Sequence, residues 1–236
     1  PSDRSDGKLD INQLHCAFDL QSPGKMTNNE TANAFDALVR ERRSIRGFLD
    51  KQVPEETLKQ IFETARWTPS GTNVQPWEVC VASGNTLEQI RQGYISGFDE
   101  GVKVVTDHQA DGRTGAPWKE RKRSCARALY QSMDIEWEDK AGRGYAARRN
   151  YEFFDAPHAV FLGIHDVFGA QSACDVGMYA QTLMLAMTSH GLASCAQGTL
   201  RNYPDLVREV FGLDPEIKIL FGISFGYEDQ EAKVNT

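Results

Sequence analysis

Pro69-Ser70-Gly71-Thr72-Asn73-Val74-Gln75-Pro76-Trp77 is a loop written in small polar residues between two prolines. Hydroxyl and amide groups bracketed in this way form a stiff turn with free donors and acceptors. Some two dozen residues earlier stands Arg42-Arg43-Ser44-Ile45-Arg46, three guanidinium groups and a hydroxyl within five positions. Arginine forks match phosphate oxygens, so this segment suits an anionic ligand. Each stretch alone also has an ordinary explanation. A charge run is commonly a solvated face, and a Pro/Ser/Gly cluster commonly joins a helix to a strand.

Outward from these stretches, the pattern gives the elements. Val53-Pro54-Glu55-Glu56 starts a helix, with proline at its first position and acids in its first turn. Leu58, Ile61, Phe62 and Ala65 give that helix one apolar face, and the Pro69 loop stops it. Upstream, Phe35, Leu38 and Val39 recur at helical spacing, so structure is expected from near Thr31. Residues 1–30 are polar and non-periodic and read as a flexible arm, or as an ordered arm packed on a partner subunit. Met26 reads as a natural start, with residues 1–25 as an extension. Downstream, residues 77–82 alternate as a strand. Residues 100–149 are rich in Gly, Arg, Trp and Tyr without a long apolar face, and read as a partly helical excursion able to cover a site. Residues 158–164 form a buried strand, and 217–225 the last strand, in the middle of a sheet. Between them, residues 175–190 make a helix apolar on nearly every face, either central or at a dimer interface, and Gly191 is placed to cap it. Asn202-Tyr203-Pro204-Asp205 opens a helix that ends at Gly212. Helices first, then strands and helices together, point to an α+β class, with one domain over 31–236.

Bulk properties exclude several functions. The 236 residues are 40% hydrophobic and 25% charged, with a net charge of −7. That balance argues against nucleic-acid or anionic-membrane partners. Apolar runs such as 159–164 are too short for a bilayer, and no export signal is visible, so a cytoplasmic protein is expected. Five cysteines without a CxxC pair and five scattered histidines predict no disulfide framework and no metal site. Gly142-Arg143-Gly144 lacks the third glycine of a dinucleotide fingerprint, and neither a P-loop nor a GxSxG elbow occurs.

Taken together, the two stretches resemble the FMN-dependent nitroreductase family, whose pattern is an RRS-x-R segment, a helix and a PSxxNxQPW loop. Phe154-Asp155-Ala156-Pro157, the apolar helix, Gly191-Leu192 and Ile223-Ser224-Phe225-Gly226-Tyr227 fall in family order, so the resemblance covers roughly 32–227. It implies an α/β/α sandwich with a central mixed sheet, an intertwined homodimer, and FMN at the subunit interface. It also implies NADH or NADPH as electron donor and a small aromatic acceptor, a nitroaromatic or a quinone, used in a ping-pong scheme. The excursion is similar to that of members acting on nitrobenzoate-type substrates.

The resemblance carries over residue by residue. Arg42 and Ser44 would hold the phosphate and ribityl end, and Arg46 would lie near the flavin N1–C2 edge; Arg43 sits where the family varies. Pro69, Ser70, Gly71 and Asn73 would reach the cofactor from the other subunit. Backbone at Gln197 and Gly198 would approach N5. A fixed cation near N1 favours the reduced, anionic flavin, and no acid–base side chain is required. The sequence departs from the family pattern in its tail, where Lys233 is the one cation after Tyr227, so the phosphate is held with fewer cations or the chain is truncated. Arg148, Arg149 and Asn150 are candidates for the flavin pyrimidine, with Asn150 the one named. Relatives that dehalogenate use a lid with acidic and aromatic residues, for which Glu136 and Tyr130 or Tyr145 would stand here. The same flavin fold also admits breakdown of flavin itself, or flavin binding without turnover.

Overall fold

The computed structural model describes residues 27–108 and 115–235. Thr27 caps helix α1 (Asn28–Glu41): its hydroxyl accepts from the Glu30 amide while the Glu30 carboxylate accepts from the Thr27 amide. Residues 27–30, expected in the arm, are thus the cap and first turn of a helix. The rest of the arm, Met26 included, lies outside the described residues. Helix α2 (Glu55–Ala65) buries Leu58, Ile61, Phe62 and Ala65, as its spacing requires. There follow β1 (Trp77–Ser83), α3 (Gly84–Asp99), α4 (Ala116–Ser132), α5 (Lys140–Arg148), β2 (His158–His165), α6 (Ala170–Ser189), β3 (Ala193–Gln197), α7 (Pro204–Phe211) and β4 (Ile217–Gly226). Gly212, at φ 66°, ends α7 in the left-handed region that glycine enters without penalty.

The sheet has the order β1-β2-β4-β3, and every neighbouring pair is antiparallel. Among the described residues, the parallel component of the expected mixed sheet is a single bridge between Ser44 and Ser194. Alternation along the strands builds two cores. Ala159 and Phe161 point to Ile45, Tyr94, Phe153 and Val207. Val160, Leu162 and Ile164 point to Phe62, Val176, Leu183 and Ile223. Each fully buried side chain of this size contributes about 1.5–3 kcal/mol over exposure. The result is an α/β/α sandwich with α2 and α6 on one face and α3 and α7 on the other.

Neither α3 nor β3 follows from the sequence patterns. In α3, Gly93 and Gly97 depress helix propensity. Both serve close packing, since a Cβ would stand 2.6 Å from Leu206 at one and 3.2 Å from the Tyr203 ring at the other. Helix α6 buries one face through Val176, Tyr179, Leu183 and Met187. Cys174, Gly177, Met178 and Gln181 on its other face are not buried, so a single chain leaves half of this apolar helix uncovered. Among the described residues, no helix is long and apolar enough to cross a membrane.

Candidate active site

The arginine segment leaves α1 at Arg42 and runs along the free edge of β3. The Ile45 amide donates to the Ser194 carbonyl at 3.1 Å, and buried Ile45 and Phe48 hold the segment down. Arg42, Ser44 and Arg46 gather around the Cys195 thiol. Burial pushes that thiol up, while the charges of Arg46 and Arg42 and the Ser44 hydroxyl oppose the rise. Neither Arg42 nor Arg46 has an acidic partner among the described residues; the Arg46 guanidinium donates to the Ser44 carbonyl at 3.1 Å, and its backbone amide to the Asn235 side-chain oxygen at 2.8 Å. The Ser194 hydroxyl beside them is buried without a hydrogen-bond partner there. Such an orphan costs about 1–3 kcal/mol and fits a polar ligand at this corner. Arg43 is engaged elsewhere, donating to the Asn235 carbonyl at 2.6 Å and to Glu228 at 3.0 Å.

At the far end of β3, Gly198 opens a short 3-10 turn, and a Cβ added there would meet nothing within 4 Å. Backbone at this point is open to a flat ligand. The Gln197 side chain is buried and locked. It donates to the Asn150 carbonyl at 3.0 Å and to the Asn150 side-chain oxygen at 3.3 Å, and it accepts from the buried Ser224 hydroxyl. Gln197 and Asn150 are therefore brought together, but their side chains hold each other, and only the Gln197 backbone is left for a ligand. Arg148 is held by Asp99 at 3.0 Å and by Glu152. Arg149 is held by Asp155 at 2.7 Å and by Glu152 at 2.9 Å. Burial alone would lower Arg149; Asp155 and Glu152 outweigh it and keep the guanidinium above its ordinary range.

The Pro69 loop is built by its own hydrogen bonds. The Ser70 hydroxyl accepts from the Gln75 amide at 2.9 Å, and the Ser70 carbonyl accepts from the Asn73 amide at 3.0 Å. The Gly71 amide donates to Asp175 at 3.2 Å. Thr72, Asn73 and Gln75 sit at φ 51°, 59° and 49°, left-handed conformations that cost on the order of 1 kcal/mol each in non-glycine residues. Pro69 and Asn73 are exposed, and Ser70 and Gly71 half-buried. Asp175 went unread in the sequence. Its signal was there: it is the one acid of an otherwise apolar helix.

These two motifs stand at diagonal corners of the sheet. The loop enters β1, one edge strand, at Trp77, which is level with Ile164 and Lys218. The arginine segment lies along β3, the other edge, at Ser194, which is level with Phe225, His158 and Ser83. Three strand spacings across and six residues along put them roughly 14 Å apart in one direction and roughly 20 Å in the other. Helix α6 spans the same diagonal, with Asp175 beside the loop and Thr188 sharing a groove with Arg42.

The excursion walls a cavity of about 300 Å³ beside Arg46, formed with Leu129, Met133, Tyr145, Phe154 and Lys233. Lys233 reaches Asp134 at 2.6 Å across its rim. Trp137 is gripped between Arg127 at 5.2 Å and Arg143 at 5.8 Å, with the Tyr130 ring at 5.9 Å. Tyr130 is thereby committed to packing, whereas Tyr145 stays exposed at the cavity wall. On the opposite end of the sheet, half-buried His165 lies 3.3 Å from Asp166 and 3.0 Å from Glu216, a cluster distant in sequence from the candidate site residues.

The chain matches the Nitroreductase family over residues 39–227, which spans both corners and the excursion between them. It belongs to the nitroreductase family. It is 38% identical over 208 residues to nitroreductase NfnB of Mycolicibacterium smegmatis, covering 87% of this chain and 88% of that one. It is 36% identical over 203 residues to a 4-nitrobenzoate reductase of Nocardioides sp., covering 84% and 82%. The solved FMN-dependent NfnB of Mycobacterium smegmatis, in complex with NADPH, superposes at a TM-score of 0.83 with 37% identity, over 87% of this chain and 92% of that chain.

The residues of this nitroreductase fit an FMN on the observations above. Two arginines without an acidic partner and a buried hydroxyl without a hydrogen-bond partner, among the described residues, suit its phosphate and hydroxylated chain. The open backbone at Gly198 leaves room for a flat ring. Ser194 joins Asp175 among the residues at the candidate site that sequence reasoning missed, because a lone serine in a strand carries no pattern.

Proposed function

We propose that the protein is an FMN-dependent oxidoreductase that takes electrons from NADH or NADPH and passes them to nitroaromatic or similar flat acceptors, each site being built from two chains. The diagonal placement of the two motifs carries this reading. One chain holds arginines at one corner and the loop at the other, too far apart for a single cofactor. Antiparallel pairing of α6 with its copy about a two-fold axis near Gln181 would set Asp175 of one chain level with Thr188 of the other. That pairing covers Cys174, Gly177 and Met178, and sets each loop against the partner's arginines.

Bound FMN supplies the hydride chemistry. Arg42 and Ser44 bind its phosphate end, and Arg46 is the fixed cation for its pyrimidine edge. The backbone of Gln197 and Gly198 would hold the ring, and the loop residues Pro69, Ser70, Gly71 and Asn73 would close the site from the second chain. The excursion keeps water from one side of the cavity beside Arg46, where donor and acceptor bind in turn. The relatives named nitroreductase NfnB and 4-nitrobenzoate reductase support the acceptor class.

The test is an absorbance spectrum of the purified protein, followed by anaerobic NADPH or NADH and then a nitroaromatic. Flavin bands that bleach and return support the reading; a colourless protein that also fails to retain added FMN sinks it. Met178→Glu, placed on the uncovered face of α6, is expected to give monomers that have lost FMN by gel filtration and absorbance. A dimeric, flavin-loaded Met178→Glu protein would reject the α6 interface.

A further inference from the structure

Helix α4 carries Lys119, Arg121, Lys122 and Arg123 within five residues, in a chain whose net charge is −7. All four are exposed, and none has an acidic partner among the described residues; the one acid in the run, Glu120, lies 3.7 Å from Arg127. Such self-repelling charge is usually dispersed or paired on a surface. Here it is concentrated on a helix with no buried side chain at all.

The run has a direction. Met133 and Leu129 line the cavity beside Arg46, and Ala126 above them is half-buried. Steps of three and four residues continue that stripe to Lys122 and then Lys119. At 1.5 Å per residue, Lys122 lies roughly 10 Å and Lys119 roughly 15 Å from the cavity wall. Trp118, 56% exposed, sits one turn before Lys122, level with Lys119, and offers an aromatic face there. A cavity beside the flavin cation, then ammonium groups, then a free indole, is an order that a dinucleotide matches from nicotinamide through its phosphates to adenine.

We infer that the Lys119/Lys122 stripe of α4, with Trp118 at its end, binds the phosphates and adenine of the electron donor and makes the enzyme prefer NADPH over NADH. The 2′-phosphate sits at the adenosine end, where the stripe is most cationic, and charge-assisted contacts to it are absent with NADH. This inference rests on the flavoenzyme reading.

The double variant Lys119→Gln/Lys122→Gln and the single Trp118→Ala alter exposed residues outside the flavin corner. Both are compared with wild type as flavin-loaded proteins, by KM for NADPH and for NADH and by calorimetric binding of NADP+. The double variant is expected to raise KM for NADPH about tenfold, the equivalent of about 1.4 kcal/mol, with a smaller rise for NADH and the change in KM rather than kcat. The wild-type preference should also shrink as salt is added. Unchanged KM for NADPH in a flavin-loaded double variant overturns the proposal. So does a rise confined to the KM of a carboxylated acceptor, which would give the stripe to the acceptor instead. A wild-type protein that holds no flavin defeats the flavoenzyme reading, and NADP+ binding then decides the stripe alone: binding lost in the double variant upholds it, and no binding by wild type rejects it.

Discussion

The twenty residues of α6 include seven buried side chains; the seventeen of α4 include none. The first helix is clamped between the sheet and α2 and fixes where both site corners lie. The second reaches the cavity beside Arg46 near its C-terminal end, through Leu129. The difference separates two duties. Stability resides in the sandwich, and α4 is free to present charge and aromatic surface because folding asks little of it.

Substitutions should divide along that line. Phe161 is fully buried in β2 against the rings of Tyr94, Phe153 and Phe211. Phe161→Ala should cost about 3–5 kcal/mol and lower the denaturation midpoint of the whole molecule. A loss below about 1 kcal/mol, small beside that range, would mean that the sandwich is not the stabilising unit.

Acid should act on the same layer. His158 is buried at the start of β2, where its Nε2 accepts from the Val53 amide at 3.0 Å and its Nδ1 meets the Ser83 hydroxyl at 2.5 Å. Burial lowers its pKa from 6.5 to about 4. The unfolded chain therefore takes up a proton that the folded chain refuses. Stability is full above about pH 6.5 and falls by about 3 kcal/mol as the pH drops to about 4. His158→Gln should flatten that slope in denaturation curves measured across the window.

In the excursion, Trp137→Ala removes the ring held by Arg127 and Arg143. It should cost about 1 kcal/mol and raise hydrogen exchange in α4 and α5 while β2 stays protected. Loss of protection in β2 would join the two regions into one cooperative unit. The smallest effect on stability belongs to Arg46→Ala, since the side chain gives up only its bond to the Ser44 carbonyl. There the change should appear in function, as a lower flavin reduction potential and slower reduction by the donor. An unchanged potential would remove Arg46 from its assigned role.

Much of the sandwich was legible in the sequence. Strands β2 and β4 are rich in apolar residues, and α2 and α7 carry proline starts and clean apolar spacing. Strand β3, Ala-Ser-Cys-Ala-Gln, is short and mixed, so it read only as the turn at its end. The site was legible as a list of residues and not as an arrangement. Arg46 and Pro69 are near neighbours in sequence, yet α2 carries the chain to the opposite corner. Arg43 sits where the family varies, and tertiary contacts with Glu228 and Asn235 reveal its different duty.

The diagonal separation of the two corners has a genetic consequence. In the proposed two-fold dimer, a chain damaged at Arg46 and a chain damaged in the Pro69 loop would each be impaired with their own kind. Mixed in one dimer, they concentrate both lesions in one site and leave the other whole. Two defective alleles expressed together would restore up to half of the sites in each mixed pair, so that a loss on one copy is masked by a different loss on the other.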